Sequence, residues 1–188
     1  MKRTSIIKNF SIFEIIIIAL MAALGIASKP IVVPLAHMIT APLFIPGGVV
    51  AGGFYMLWIV LGAALVNKRG AATLIALTQS LMIMIMGSLG SHGPLSILTY
   101  TMPGLMVDAC FIIFRRKITI PADFFVAGII ANLSGTYLTN LVYFRLPAIP
   151  LTMSLASGAL SGGLGGILAY FISKKITDLG LDRYEGVN

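Results

Sequence analysis

The stretch FSIFEIIIIALMAALGIAS, residues 10–28, carries a single charge, Glu14, near its start and is otherwise apolar or small. That is close to the roughly 20 residues a helix needs to cross the hydrocarbon layer of a bilayer. Lys2, Arg3 and Lys8 precede it, as basic residues precede a secretory leader. A leader's apolar core, however, spans only about 7–15 residues. Further long apolar runs also follow, so the segment reads as a retained first span.

The rest of the chain has the same character. Over 188 residues, 58% are hydrophobic and only 10% charged, and the mean hydropathy is +1.00. Soluble domains are about one quarter charged. A water-soluble domain of this size buries only about 70% of the surface its chain exposes. So apolar a chain needs lipid as its solvent. The net charge of +7 does not point to nucleic acid, because the basic residues flank apolar runs, where they act as topology signals. Cys110 is the sole cysteine, which excludes an internal disulfide and a cysteine-rich metal site. Of the acids Glu14, Asp108, Asp123, Asp178, Asp182 and Glu185, only Asp108 lies deep within an apolar run.

Reading onward, residues 31–67 contain no Asp, Glu, Lys or Arg and are too long for one ordinary span. Pro30, Pro34, Pro42 and Pro46 predict an irregular, partly re-entrant connection over about 29–45, because proline removes helical hydrogen bonds. A second span follows over about 46–66, and Asn67-Lys-Arg-Gly70 forms a turn. Residues 71–107 read as parts of two spans, about 71–87 and 95–114, joined by the Gly/Ser/Pro-rich segment Gly87–Pro94. A fifth span is expected over about 122–144, and a sixth over about 151–173 after a turn marked by Pro147 and Pro150. The expected protein is therefore an all-α integral membrane protein. A single six-helix domain covers residues 1–175, and a short polar cytoplasmic tail covers 176–188. With the N-terminus inside, eleven of the thirteen basic residues fall on cytoplasmic segments, leaving only Lys29 and Arg145 outside. That asymmetry predicts both termini in the cytoplasm and a multi-pass protein of the cell membrane.

Several constellations invite a functional reading. Ala19, Ala23 and Ala27 recur every fourth residue, making one smooth helix face. Such a face suits close helix docking in lipid, within the chain or against a partner. Gly158, Gly162 and Gly166 repeat the pattern on the sixth span. Asn132, Thr136, Asn140 and Tyr143 form a polar stripe on the fifth span, and polar groups in lipid turn toward a bundle interior or cavity. Ser96 and Tyr100, four apart in the outer half of the fourth span, are placed to face that stripe across a pocket. His37 and His92 fall in expected outer loops that could lid it, but two histidines without a nearby carboxylate make a poor metal site. Asp108 has two readings, structural hydrogen bonding or contact with a ligand. Tyr55 and Trp58 are pocket or lipid-facing aromatics. Neither a catalytic grouping nor a nucleotide-binding loop is present in the sequence, so no enzymatic activity and no cofactor are expected.

Taken together, the size, the six spans, the basic N-terminus and the Ala19/Ala23/Ala27 strip resemble the substrate-binding S components of energy-coupling factor (ECF) transporters. Three stretches, Asn67–Ala72, Gly90–Pro94 and Gly104–Ala109, are similar to the YkoE-like thiamine/hydroxymethylpyrimidine group of that family. The resemblance implies a membrane-embedded binder that captures a vitamin or vitamin precursor on the outer side. Its partners would be a transmembrane T subunit, docked through the alanine strip, and two cytoplasmic ATPases. The competing readings are a self-sufficient small permease or channel, dimeric through the glycine strip, and a ligand-free membrane scaffold.

Overall fold

The computed structural model describes residues 10–86 and 95–180, and no strand occurs among them. Six helices follow one another: α1 (Ile12–Thr40), α2 (Gly47–Val66), α3 (Ala71–Met86), α4 (Ser96–Ile113), α5 (Pro121–Thr139) and α6 (Ala148–Asp178). Five of them, with the short turns that extend α1 and α5, are long and apolar enough to cross a membrane. The exception, α3, has 16 residues and is about 24 Å long at 1.5 Å per residue. The expected linker 87–94 and the end of the tail lie outside the described residues.

The largest departure from the sequence expectation is at the N-terminal third. The chain does not break at residue 29. Instead, α1 runs unbroken for 29 residues to Thr40, with Pro30 and Pro34 inside it. Proline costs a helix one hydrogen bond per residue, and a spanning helix tolerates this because neighbouring elements support it. The real connection to α2 is short: a 3₁₀ turn at Ala41–Leu43, then Phe44 at φ 57°. The far end of the chain shows a smaller difference, in that α6 continues past Lys174 and Lys175 to Asp178, into the expected tail.

The start of α1 is fixed by a capping box, in which Ser11 Oγ accepts from the Glu14 backbone N–H at 3.2 Å and the Glu14 carboxylate accepts from the Ser11 N–H at 2.7 Å. The same carboxylate pairs with Lys68 Nζ at 2.7 Å, tying the start of α1 to the α2–α3 turn. That turn reverses the chain through Asn67 and Gly70, both in the left-handed region at φ 52° and 88°.

The core is built on α2, whose Leu57, Ile59, Val60 and Leu61 are almost wholly buried, packed with Ala72, Ile75 and Ala76 of α3. Small residues set the helix spacing. A Cβ at Gly128 on α5 would strike the Gly162 carbonyl on α6, and one at Gly165 would strike Gly53 of α2. Close backbone approach of this kind is how membrane helices gain packing energy without a hydrophobic drive. Gly158, Gly162 and Gly166 are therefore buried inside the chain, which removes the glycine strip as a surface for a dimer partner.

Candidate functional site

One end of the bundle, where α1, α3 and α5 finish and α2, α4 and α6 begin, encloses a cavity of about 540 Å³. Clefts of roughly 300–1,000 Å³ hold small organic ligands, mostly against apolar walls with a few placed polar groups. Here the apolar wall comes from Ile26, Val33, Met56, Ile83 and Phe144, among others. The polar groups are Lys29, His37, Tyr55, Gln79, Thr99, Tyr100, Thr136, Thr139, Asn140 and Ser154.

Lys29 stands out. Because α1 continues as a helix, Lys29 is not in an outer loop; it projects from the helix into the cavity lining. Its Nζ lies 3.8 Å from the ring centroid of Tyr100 and 4.6 Å from that of Tyr55. No ion pair reaches it among the described residues. Cation–π contacts are worth about 0.5–2 kcal/mol each, whereas withdrawing an ammonium from water costs several kcal/mol. The two tyrosines therefore compensate the charge only in part.

The surrounding groups are held by the backbone. Tyr55 donates its hydroxyl to the Gly48 carbonyl at 2.8 Å, turning its ring across the cavity wall. His37 Nδ1 accepts from the Gly47 N–H at 3.3 Å, and Thr40 donates to the Ile45 carbonyl at 2.8 Å. Together these bonds fasten the α1–α2 connection beside the cavity. Gly47 permits the close approach, since a Cβ there would meet His37 backbone and side chain. On the other side Asn140 Oδ1 accepts from the Leu146 N–H at 2.9 Å, fixing the α5–α6 link. Two lining groups have no hydrogen-bond partner although they are buried: Gln79 Nε2 and Ser154 Oγ. An unpartnered buried polar atom costs about 1–3 kcal/mol.

The polar residues singled out from the sequence divide. Thr136, Asn140 and Tyr100 line the cavity. Asn132 sits behind the wall and donates from Nδ2 to the carbonyls of Val49 at 2.9 Å and Gly158 at 2.8 Å, joining α5 to α2 and α6. Ser96 is buried away from the lining. Tyr143 is exposed, because the wider π turn Asn140–Phe144 rotates the stripe out of register; Phe144 and Leu146 take its place on the wall. His92 lies outside the described residues. The polar lining residues that sequence reasoning missed are Lys29, Gln79, Thr99, Thr139 and Ser154. For Lys29 a signal existed: it is the only charged residue between Glu14 and Lys68.

The opposite end has a different chemistry. Asp108 on α4 accepts from Thr73 twice, from its N–H at 2.7 Å and its hydroxyl at 2.6 Å. The Thr73 N–H belongs to the first turn of α3, so Asp108 acts as a cap supplied from another helix. Arg116 pairs with the buried Asp123 at 2.9 Å. The alanines of α1 lie on its outer surface, with Ala19 and Ala27 exposed and Ala23 half-buried.

Comparison with known proteins places this arrangement. Residues 13–134, well over half of the chain, match the family described as "ABC-type cobalt transport system, permease component". The chain belongs to that family, and it is a multi-pass protein of the plasma membrane. A solved structure described as "Crystal structure of an S-component of ECF transporter" shares the fold, with a TM-score of 0.76 at 20% identity, over 92% of this chain and 88% of that one. No curated protein matches the chain.

Proposed function

We propose that this protein is the substrate-binding S component of an ATP-driven ECF importer, capturing a vitamin or vitamin precursor from outside the cell. The observation that carries the reading is the cavity: about 540 Å³, mostly apolar, with a few convergent polar groups. It sits at the end of the bundle away from the basic turns Lys68-Arg69 and Arg115-Arg116-Lys117. If those turns face the cytoplasm with both termini, the cavity faces outward, where an imported ligand arrives. The shared fold with an S component and membership in a transport-system family support the same role.

The family description names cobalt. A bare divalent cation suits this lining poorly, because the lining contains Lys29 and no Asp, Glu or Cys. An organic cargo fits better. Within the thiamine/hydroxymethylpyrimidine likeness, Lys29 also disfavours the thiazolium cation, so the uncharged pyrimidine is the better match of the two.

The outward face of Ala19, Ala23 and Ala27 is the proposed docking strip for a transmembrane T subunit, itself driven by two ATPases. Replacing Ala19 or Ala23 with Trp should abolish ATP-dependent uptake while leaving ligand affinity within about twofold, since neither residue lines the cavity. Uptake unchanged in both variants contradicts the docking role. Transport by the purified chain alone in liposomes would instead establish a self-sufficient permease.

A further inference from the structure

The lining of the cavity is unbalanced in charge. Lys29, half-buried, is set in it, and no carboxylate lines the wall among the described residues. None of its three N–H donors meets an acceptor among the described residues, and the faces of Tyr55 and Tyr100 are its only partners there. Two more hydrogen-bonding groups on the same wall, Gln79 Nε2 and Ser154 Oγ, are buried and unsatisfied. Gln79 is held close by α1, where Gly25 leaves the room that a Cβ would take from its amide. Elsewhere among the described residues the half-buried Asp108 is answered by Thr73 and the buried Asp123 by Arg116. Trp58 Nε1, away from the cavity, is a third buried donor without a partner. The unanswered charge and the two other unsatisfied groups, however, share the cavity wall, so their missing partners belong to whatever fills it.

We infer that the cargo is a small organic monoanion, a carboxylic acid with an apolar body, whose carboxylate takes Lys29 as its counter-ion. Its remaining acceptors face Gln79 and Ser154, and its body lies against Ile26, Met56 and Ile83. This inference rests on the capture role proposed above and sharpens it to a chemical class. A carboxylate is favoured over a phosphate monoester because the latter carries nearly two charges near neutrality, and the wall offers only one ammonium. A lysine is a point-charge donor that accommodates a single carboxylate without demanding bidentate geometry.

The test uses the full chain purified in mild detergent. Melting temperature and affinity are measured against vitamin-sized ring monocarboxylates, their primary amides and the matching phosphate monoesters. Lys29→Met, Lys29→Arg and wild type are run in parallel, with the ligand-free melting curve of each variant as the folding control. The small molecule retained by the wild-type protein is extracted and identified by mass spectrometry. The expected result is an acid that raises the melting temperature, binds at least about 100-fold more tightly than its amide, and loses that affinity in Lys29→Met, with part restored in Lys29→Arg. A retained ligand that is neutral or cationic overturns the inference but leaves the capture role standing. So does preference for phosphate monoesters, or acid binding that survives Lys29→Met. Wild-type protein that binds no small molecule, retains none and brings down no ATPase overturns both.

Discussion

Lys29 on α1 and Asp108 on α4 lie toward opposite ends of the same bundle; Asp108 is the one charge of α4, and Lys29 shares α1 only with Glu14 at the other end of that helix. Asp108 receives two short hydrogen bonds from Thr73 and caps the first turn of α3. Lys29 receives nothing but the faces of two tyrosines. An ionisable group in a membrane span is expensive wherever it sits. The fold has answered that cost at one end and left it open at the other. A charge that is satisfied within the chain holds helices together, and one left unsatisfied beside a cavity is a place for a ligand.

Four substitutions probe this contrast. Lys29→Met should reduce ligand affinity by the largest factor, about 100-fold, while the empty protein melts no lower than wild type, because an unpaired charge has been removed. Titration calorimetry alongside thermal melting separates the two effects, and a lowered melting temperature with intact affinity would invert the roles. Asp108→Ala should do the reverse. Removing a charged cap costs about 1.5–3 kcal/mol of stability, and affinity should stay within twofold; a lost ligand would place Asp108 at the site after all. Gln79→Leu should weaken binding about tenfold with little change in melting temperature, since its amide nitrogen has no partner to lose. Ser154→Ala, the smallest of the four, should weaken binding about threefold to tenfold and leave the melting temperature unchanged or slightly higher.

How much of this was readable beforehand depended on the kind of signal. Apolar runs separated by basic turns located α2 to α6 within a few residues, because lipid forces every backbone group into a helix and leaves charge only at its ends. The pairs Gly158/Gly162 and Ala19/Ala23 were visible as smooth faces, but spacing alone does not say which one turns inward. Pro30 and Pro34 misled, since proline is read as a break and a spanning helix can absorb it. Breaking α1 there also hid Lys29, which becomes an unremarkable loop residue once the helix is stopped at Ser28. The stripe on α5 faces the bundle interior at Asn132 and the cavity at Thr136 and Asn140, and it turns outward at Tyr143, where the π turn shifts the register without any mark in the sequence. Gln79 and Ser154 meet the cavity through tertiary packing that periodicity does not encode.

Native mass spectrometry of the wild-type protein beside Lys29→Met, both gently purified from the membrane, tests the capture account most directly. The account predicts a retained acidic molecule of vitamin mass on the wild type, its absence from Lys29→Met, and co-purified transmembrane and ATPase subunits with both. An empty wild-type protein migrating alone would contradict it, whereas the same ligand held equally by both proteins would leave capture standing and overturn the role given to Lys29.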